Sequence, residues 1–120
     1  MKSLSRSLAI AASISLSGCA GNQKVPNMYW GQYSQTLYEL KKEPSEVTAN
    51  AHQAQLEDII AKSDEWGILP PPGVSAELGK VYFEQGNTDL AIQFMNRESR
   101  NYPEAQALMS QLISQMKSKG

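Results

Sequence analysis

The chain of 120 residues has little of what most chemistry needs. It has one cysteine, Cys19, which excludes an internal disulfide framework and a cysteine-built zinc site. It has one histidine, His52, so a Ser-His-Asp arrangement has only one base to use. Charged residues make up 19% and the net charge is −1, which leaves no basic surplus of the kind that nucleic-acid binders show. No apolar run approaches the roughly 20 residues that span a bilayer. Six prolines and eight glycines are too few for a low-complexity disordered chain. The length fits one domain, and a small helical one is the compositional default.

The N-terminus reads as an address. Lys2 and Arg6 form a positive segment, and Leu8 to Leu16 is a short apolar stretch. Together they predict a cleaved secretory signal over residues 1–18. The stretch Leu16-Ser17-Gly18-Cys19 resembles the lipobox of bacterial lipoproteins. That resemblance implies a diacylglyceryl group on the Cys19 thiol, cleavage before Cys19 and acylation of the new amino terminus. No other cofactor is expected. One acyl chain holds a membrane marginally, whereas two or more hold it stably. Cleavage removes Lys2 and Arg6 and no acid, so the mature chain is mildly acidic and gains nothing from an anionic membrane surface. Ala20 follows the cysteine where an aspartate would mark retention. By resemblance to Gram-negative lipoproteins this implies the outer membrane, facing the periplasm.

Residues 19–27 are polar, with Gly21 and Pro26, and read as a lipidated tether. The folded part is expected over residues 28–120, and its periodicity is helical throughout. Trp30, Tyr33, Leu37 and Leu40 form one apolar stripe, which Lys41-Lys42-Glu43-Pro44 ends. Ser45 is an N-cap for a second helix reaching Trp66. Its inner face would carry Ala49, Leu56, Ile59, Ile60 and Ser63, with Gly67 as the stop. Pro70-Pro71-Pro72-Gly73 is a stiff connection. A third helix is expected from Val74 to Gln85, and a fourth from Thr88 to Asn101 with Asn87 as cap and Leu90, Ala91, Phe94 and Met95 inward. A fifth runs from Pro103 to about Lys117, with Ala105, Leu108, Met109, Leu112, Ile113 and Met116 on one stripe. No alternating segment predicts a strand.

Residues 72–105 resemble one tetratricopeptide repeat. Leu78-Gly79, Tyr82, Ala91, Met95 in the large apolar slot and Pro103 in the closing slot match that roughly 34-residue pattern. Ser75 departs from it, since the pattern prefers Trp there. Gly79 and Ala91 would allow close helix approach, Tyr82 would fill the space between, and Pro103 would open the next helix, where its missing N–H costs nothing. The resemblance implies an all-α fold of about five helices in antiparallel hairpins. It also implies that Glu77, Lys80, Val81 and Glu84 face partners. The first helix pair does not keep the repeat spacing.

The chain is also similar to a family of small bacterial lipoproteins of unassigned function. The lipobox, Tyr29-Trp30-Gly31-Gln32-Tyr33, Pro70-Pro71-Pro72-Gly73 and Ala76-Glu77-Leu78-Gly79 carry that similarity. Members tend to occur beside lipoproteins similar to the curli secretion channel, which implies an envelope-assembly setting and envelope proteins as partners, among them a channel-forming lipoprotein.

A search for chemistry finds none. There is no Gly-x-Ser-x-Gly elbow, no phosphate loop and no dinucleotide fingerprint. Gln55 and Leu56 occupy the positions where a helical metal site on His52 would need ligands, so His52 reads as a surface or helix-packing residue. The 12 acidic residues fall almost entirely on solvent faces. Trp30 and Tyr33 share the stripe of Leu37 and read as core rather than as a partner patch. Tyr29 and Tyr38 lie off it and are surface candidates. The expected protein is a non-enzyme, an interaction or assembly module. The alternative is a structural lipoprotein that self-associates or contacts the cell wall. Cys19→Ala is expected to abolish acyl labelling and signal cleavage at that site in cells. Label that persists would defeat the anchoring argument.

Overall fold

In the computed structural model, residues 25–119 are described, and those residues are all-helical. The elements are α1 (Tyr33–Lys42), α2 (Glu46–Trp66), α3 (Val74–Glu84), α4 (Thr88–Asn101), a 3₁₀ turn (Pro103–Ala105) and α5 (Gln106–Lys119). Consecutive helices pack on one another, and α3 on α4 is the most extensive pairing. The lipobox, Cys19 and the tether as far as Lys24 lie outside the described residues. No helix among the described residues is long and apolar enough to cross a membrane.

Local chemistry sets the helix ends. Lys41 and Lys42 sit in the last turn of α1, where cations favour exposed carbonyls. Ser45 caps α2 in a reciprocal box with Thr48: the Thr48 amide donates to Ser45 Oγ at 3.1 Å, and the Ser45 amide donates to Thr48 Oγ1 at 3.0 Å. At the other end Gly67 takes φ +67°. The Ile68 amide then donates to Ser63 O at 2.9 Å and the Gly67 amide to Asp64 O at 3.2 Å, a Schellman closure. Asn87 caps α4 through its side chain, and Pro103 opens the 3₁₀ turn leading into α5.

Helix α3 lies between two apolar clusters. Toward α2 it meets Leu56, Ile59 and Ile60 with its own Val74 and Leu78. On the other side Ala91 and Met95 of α4 join Met109 and Met116 of α5. Tyr82 touches both clusters, and its ring lies 5.4 Å from that of Phe94. At Gly79 the helices come so close that a Cβ would stand 3.0 Å from Ala91 O and 3.3 Å from Met95 Cε. The connection from α2 to α3 is clamped onto α4. Pro70 and Pro71 are buried, Tyr102 Oη donates to Pro70 O at 2.6 Å, and the Gly73 amide donates to Glu98 Oε1 at 2.7 Å.

Several expectations are corrected. Helix α1 begins at Tyr33, because Gly31 turns the chain at φ +52° just before it. Trp30 therefore leaves the stripe and is 43% exposed. Tyr29 swings inward instead: its ring lies 5.1 Å from that of Trp66, and its hydroxyl donates to Asp58 at 2.9 Å. Ala49 is exposed, since only Thr48 is even partly covered in the first turn of α2, and the packing of α1 becomes close at His52, one turn later. Leu108 leaves the expected core stripe and is 56% exposed. Glu98 is buried at 3% exposure, against the expectation of a solvent face. Helix α5 continues to Lys119.

Gly79→Val should lower unfolding free energy by about 2 kcal/mol, because the atom nearest an added Cβ is the backbone oxygen of Ala91 at 3.0 Å, which cannot give way as the Met95 side chain beside it can. Chemical denaturation of the variant checks this. An unchanged midpoint would mean that α3 and α4 can separate freely.

Candidate functional site

Two features on α3 stand out. The first is a polar hub joining three helices. Glu77 of α3 receives Tyr33 Oη of α1 on Oε2 at 2.6 Å, and lies against His52 Nε2 of α2 through Oε1 at 2.6 Å. His52 Nδ1 in turn lies 2.8 Å from Thr36 Oγ1 of α1. His52 is 3% exposed, and the Tyr33 ring lies 5.2 Å from it. Helix α1 has no fully buried side chain of its own, so this hub is a large part of what docks it.

Hydroxyl, imidazole and carboxylate in sequence are the parts of a nucleophilic relay. Their placement is structural. Thr36 Oγ1 lies 3.2 Å from the carbonyl oxygens of both Gln32 and Tyr33, so its own helix holds the hydroxyl. Neither groove described below is lined by Thr36 or His52. Burial and the hydrogen bond to Glu77 push the Tyr33 phenol up to about 12. Burial and the Glu57 bond do the same for Tyr82, also to about 12.

The second feature is a groove of about 440 Å³ between α3 and α5. Met95, Met109 and Met116 form its floor, and Ala76, Phe83 and Leu112 its apolar walls. Lys80, Leu108 and Lys119 stand at the exposed rim. A second, polar groove of about 380 Å³ lies on α1 and the start of α2, lined by Tyr38, Glu39, Lys42 and Thr48 among others.

The residues singled out from sequence separate accordingly. Glu77 and Lys80 line the apolar groove. Val81 turns away and packs on the α2 cluster, because it lies on the opposite face of α3 from Lys80 and Phe83. Glu84 is exposed and pairs with Lys80 at 3.9 Å, outside the groove. Tyr38 is 62% exposed on α1, and Tyr29 is packed away as described. Leu78, Gly79, Tyr82, Ala91 and Met95 all sit where α3 meets its neighbours. Sequence reading missed the hub, since His52 and Glu77 are on different helices with no local pattern linking them. It also missed Glu98, although Ala91, Met95 and Glu98 share one helical face, a signal that was there to find.

The fold and these grooves define a small all-helical domain with an apolar slot between α3 and α5. The chain belongs to the family described as Domain of unknown function (DUF4810), whose model matches residues 28–112. Comparison with curated proteins and with solved structures returns no match.

The two raised phenols make a pH prediction. Their folded pKa of about 12 exceeds the ordinary 10.0, so the folded chain holds these protons more tightly than the unfolded one. The stability this contributes is complete below pH 10 and is lost as pH rises toward 12. The melting temperature should therefore fall across that window, and the fall should shrink in a Tyr33→Phe, Tyr82→Phe chain. An identical fall in both chains would refute the assignment.

Proposed function

We propose that this chain is a lipid-anchored protein of the outer membrane, facing the periplasm, whose helical domain docks another envelope protein. The lipobox ending in Cys19 supports the anchor. The spacing of Leu78, Gly79, Tyr82, Ala91, Met95 and Pro103, with the close α3–α4 crossing that it accompanies, supports a tetratricopeptide-like hairpin. The similarity to lipoproteins found beside curli-channel-like partners supports a role in secretion or surface assembly. In this reading the domain is a binding module, not an enzyme.

One observation carries the docking role. Helix α1 and its approach spend aromatic surface on solvent: Trp30 is 43% and Tyr38 62% exposed, while no side chain of α1 is fully buried. Large aromatics are the residue types that dominate protein interfaces. In this reading they follow the tether in the sequence, which supports a contact with a second anchored protein.

The test is crosslinking in intact cells with a photoreactive residue at position 38, followed by purification and identification of what is attached. The expected result is one reproducible envelope protein, lost when Trp30→Ala and Tyr38→Ala are combined. Recovery of the chain alone, or only with copies of itself, would replace this reading with a self-associating structural lipoprotein.

A further inference from the structure

We infer that Met28 and Trp30, with Val25 before them, form a membrane-contact strip that seats in the headgroup region of the bilayer. The inference rests on the lipid-anchor reading of Cys19 above. Met28 is 38%, Trp30 43% and Val25 51% exposed, and these three large apolar residues fall within six consecutive positions. Single exposed apolar side chains are ordinary, whereas a group of them marks a contact. An indole is favoured at the membrane–water boundary, since its ring is apolar and its N–H polar.

The fold turns the strip outward and braces it there. Tyr29, between Met28 and Trp30, is pinned inward by its bond to Asp58 and its ring contact with Trp66. The Trp30 ring stands edge-on to that of Tyr33, with centroids 5.2 Å apart. Charge favours the same face. All 12 acidic residues lie at Glu39 or beyond, and Lys24 is the one charged residue between Cys19 and Glu39. The carboxylates that Tyr29 and Tyr33 meet, Asp58 and Glu77, are engaged by those hydroxyls. The strip therefore approaches anionic headgroups without the repulsion that the acidic remainder of the chain brings.

The reach of the chain selects the bilayer over a protein as the occupant. Val25 comes six residues after Cys19, and a chain of that length spans at most roughly 20 Å. With the lipid of Cys19 in the hydrocarbon, the headgroup layer takes up about 5–7 Å of that span. A small folded domain is about 30 Å across and does not fit in what remains. Tyr38, further along the chain on α1, is left for the protein partner proposed above.

The test uses the mature lipoprotein purified from membranes, with the acyl mass on Cys19 checked. It is reconstituted in vesicles of phosphatidylethanolamine and phosphatidylglycerol that carry a brominated phosphatidylcholine, whose bromine quenches tryptophan on contact. Two single-tryptophan chains are compared: Trp66→Phe, which keeps Trp30, and Trp30→Phe, which keeps Trp66. Trp30 emission is expected to shift to the blue and to fall several-fold more with bromine near the headgroup than with bromine near the chain end. Trp66 emission should stay unchanged. If Trp66→Phe loses its helical circular-dichroism signal, the parent chain against Trp30→Phe gives the same reading by difference. An acylated chain whose Trp30 ignores bromine and stays open to aqueous iodide would overturn the inference and leave the anchor standing. Equal quenching of both tryptophans would overturn it too, since the whole domain would then lie on the surface. A mature chain without acyl mass on Cys19 would remove the anchor, and the inference with it.

Discussion

The contact between α3 and α4 at Gly79 is the constraint on which the rest depends. A hydrogen in place of a side chain lets the α4 backbone approach to where a Cβ would stand 3.0 Å from Ala91 O. That closeness makes α3 the central helix, with α2 on one side and α4 and α5 on the other. Tyr82 can then touch both clusters, and the two together form a core that neither hairpin would build alone. The stiff Pro70–Gly73 connection is held to α4 by Glu98 and Tyr102, so the angle at which α3 starts is fixed at both ends of the crossing.

From this arrangement come two faces of α3 with different chemistry. Toward α1 and α2 it carries Glu77, whose carboxylate is satisfied by a tyrosine and a histidine from two other helices. A buried polar group left alone is costly, and one fully paired specifies a single docking geometry. Toward α5 it carries Ala76, Lys80 and Phe83, which with the methionines of α4 and α5 make the apolar slot. Glu77 lies on the edge between the two, with its carboxylate occupied by the hub and its stem in the slot wall. Docking of α1 and the shape of the slot thus share one residue.

The chain also divides its aromatics by location. Tyr29, Tyr33, Tyr82 and Tyr102 bond through their hydroxyls to Asp58, Glu77, Glu57 and Pro70 O, and pack their rings inward. Trp30 and Tyr38, toward the N-terminal side of the described residues, remain in solvent. That asymmetry leaves aromatic surface on the approach to α1 and on the outer side of α1 itself.

Helix identities, their caps and most of the apolar faces were legible in the residues alone. Ser45, Gly67, Asn87 and Pro103 act through bonds to neighbours a few positions away, so local sequence determines them. The Gly79–Ala91 crossing was legible as well, because small residues at that spacing have a packing purpose. The groove, the His52–Glu77 hub and the exchange of Tyr29 for Trp30 were not. The first two join residues far apart in the chain, and no local pattern records which helix faces which. The third turned on one glycine: Gly31 at φ +52° shifts the phase of everything before α1, and only the packing of the Tyr29 ring against Trp66 decides which aromatic goes inside. Sequence determines what each segment can be. Tertiary structure decides which side chains meet, because burial is a property of all the helices at once.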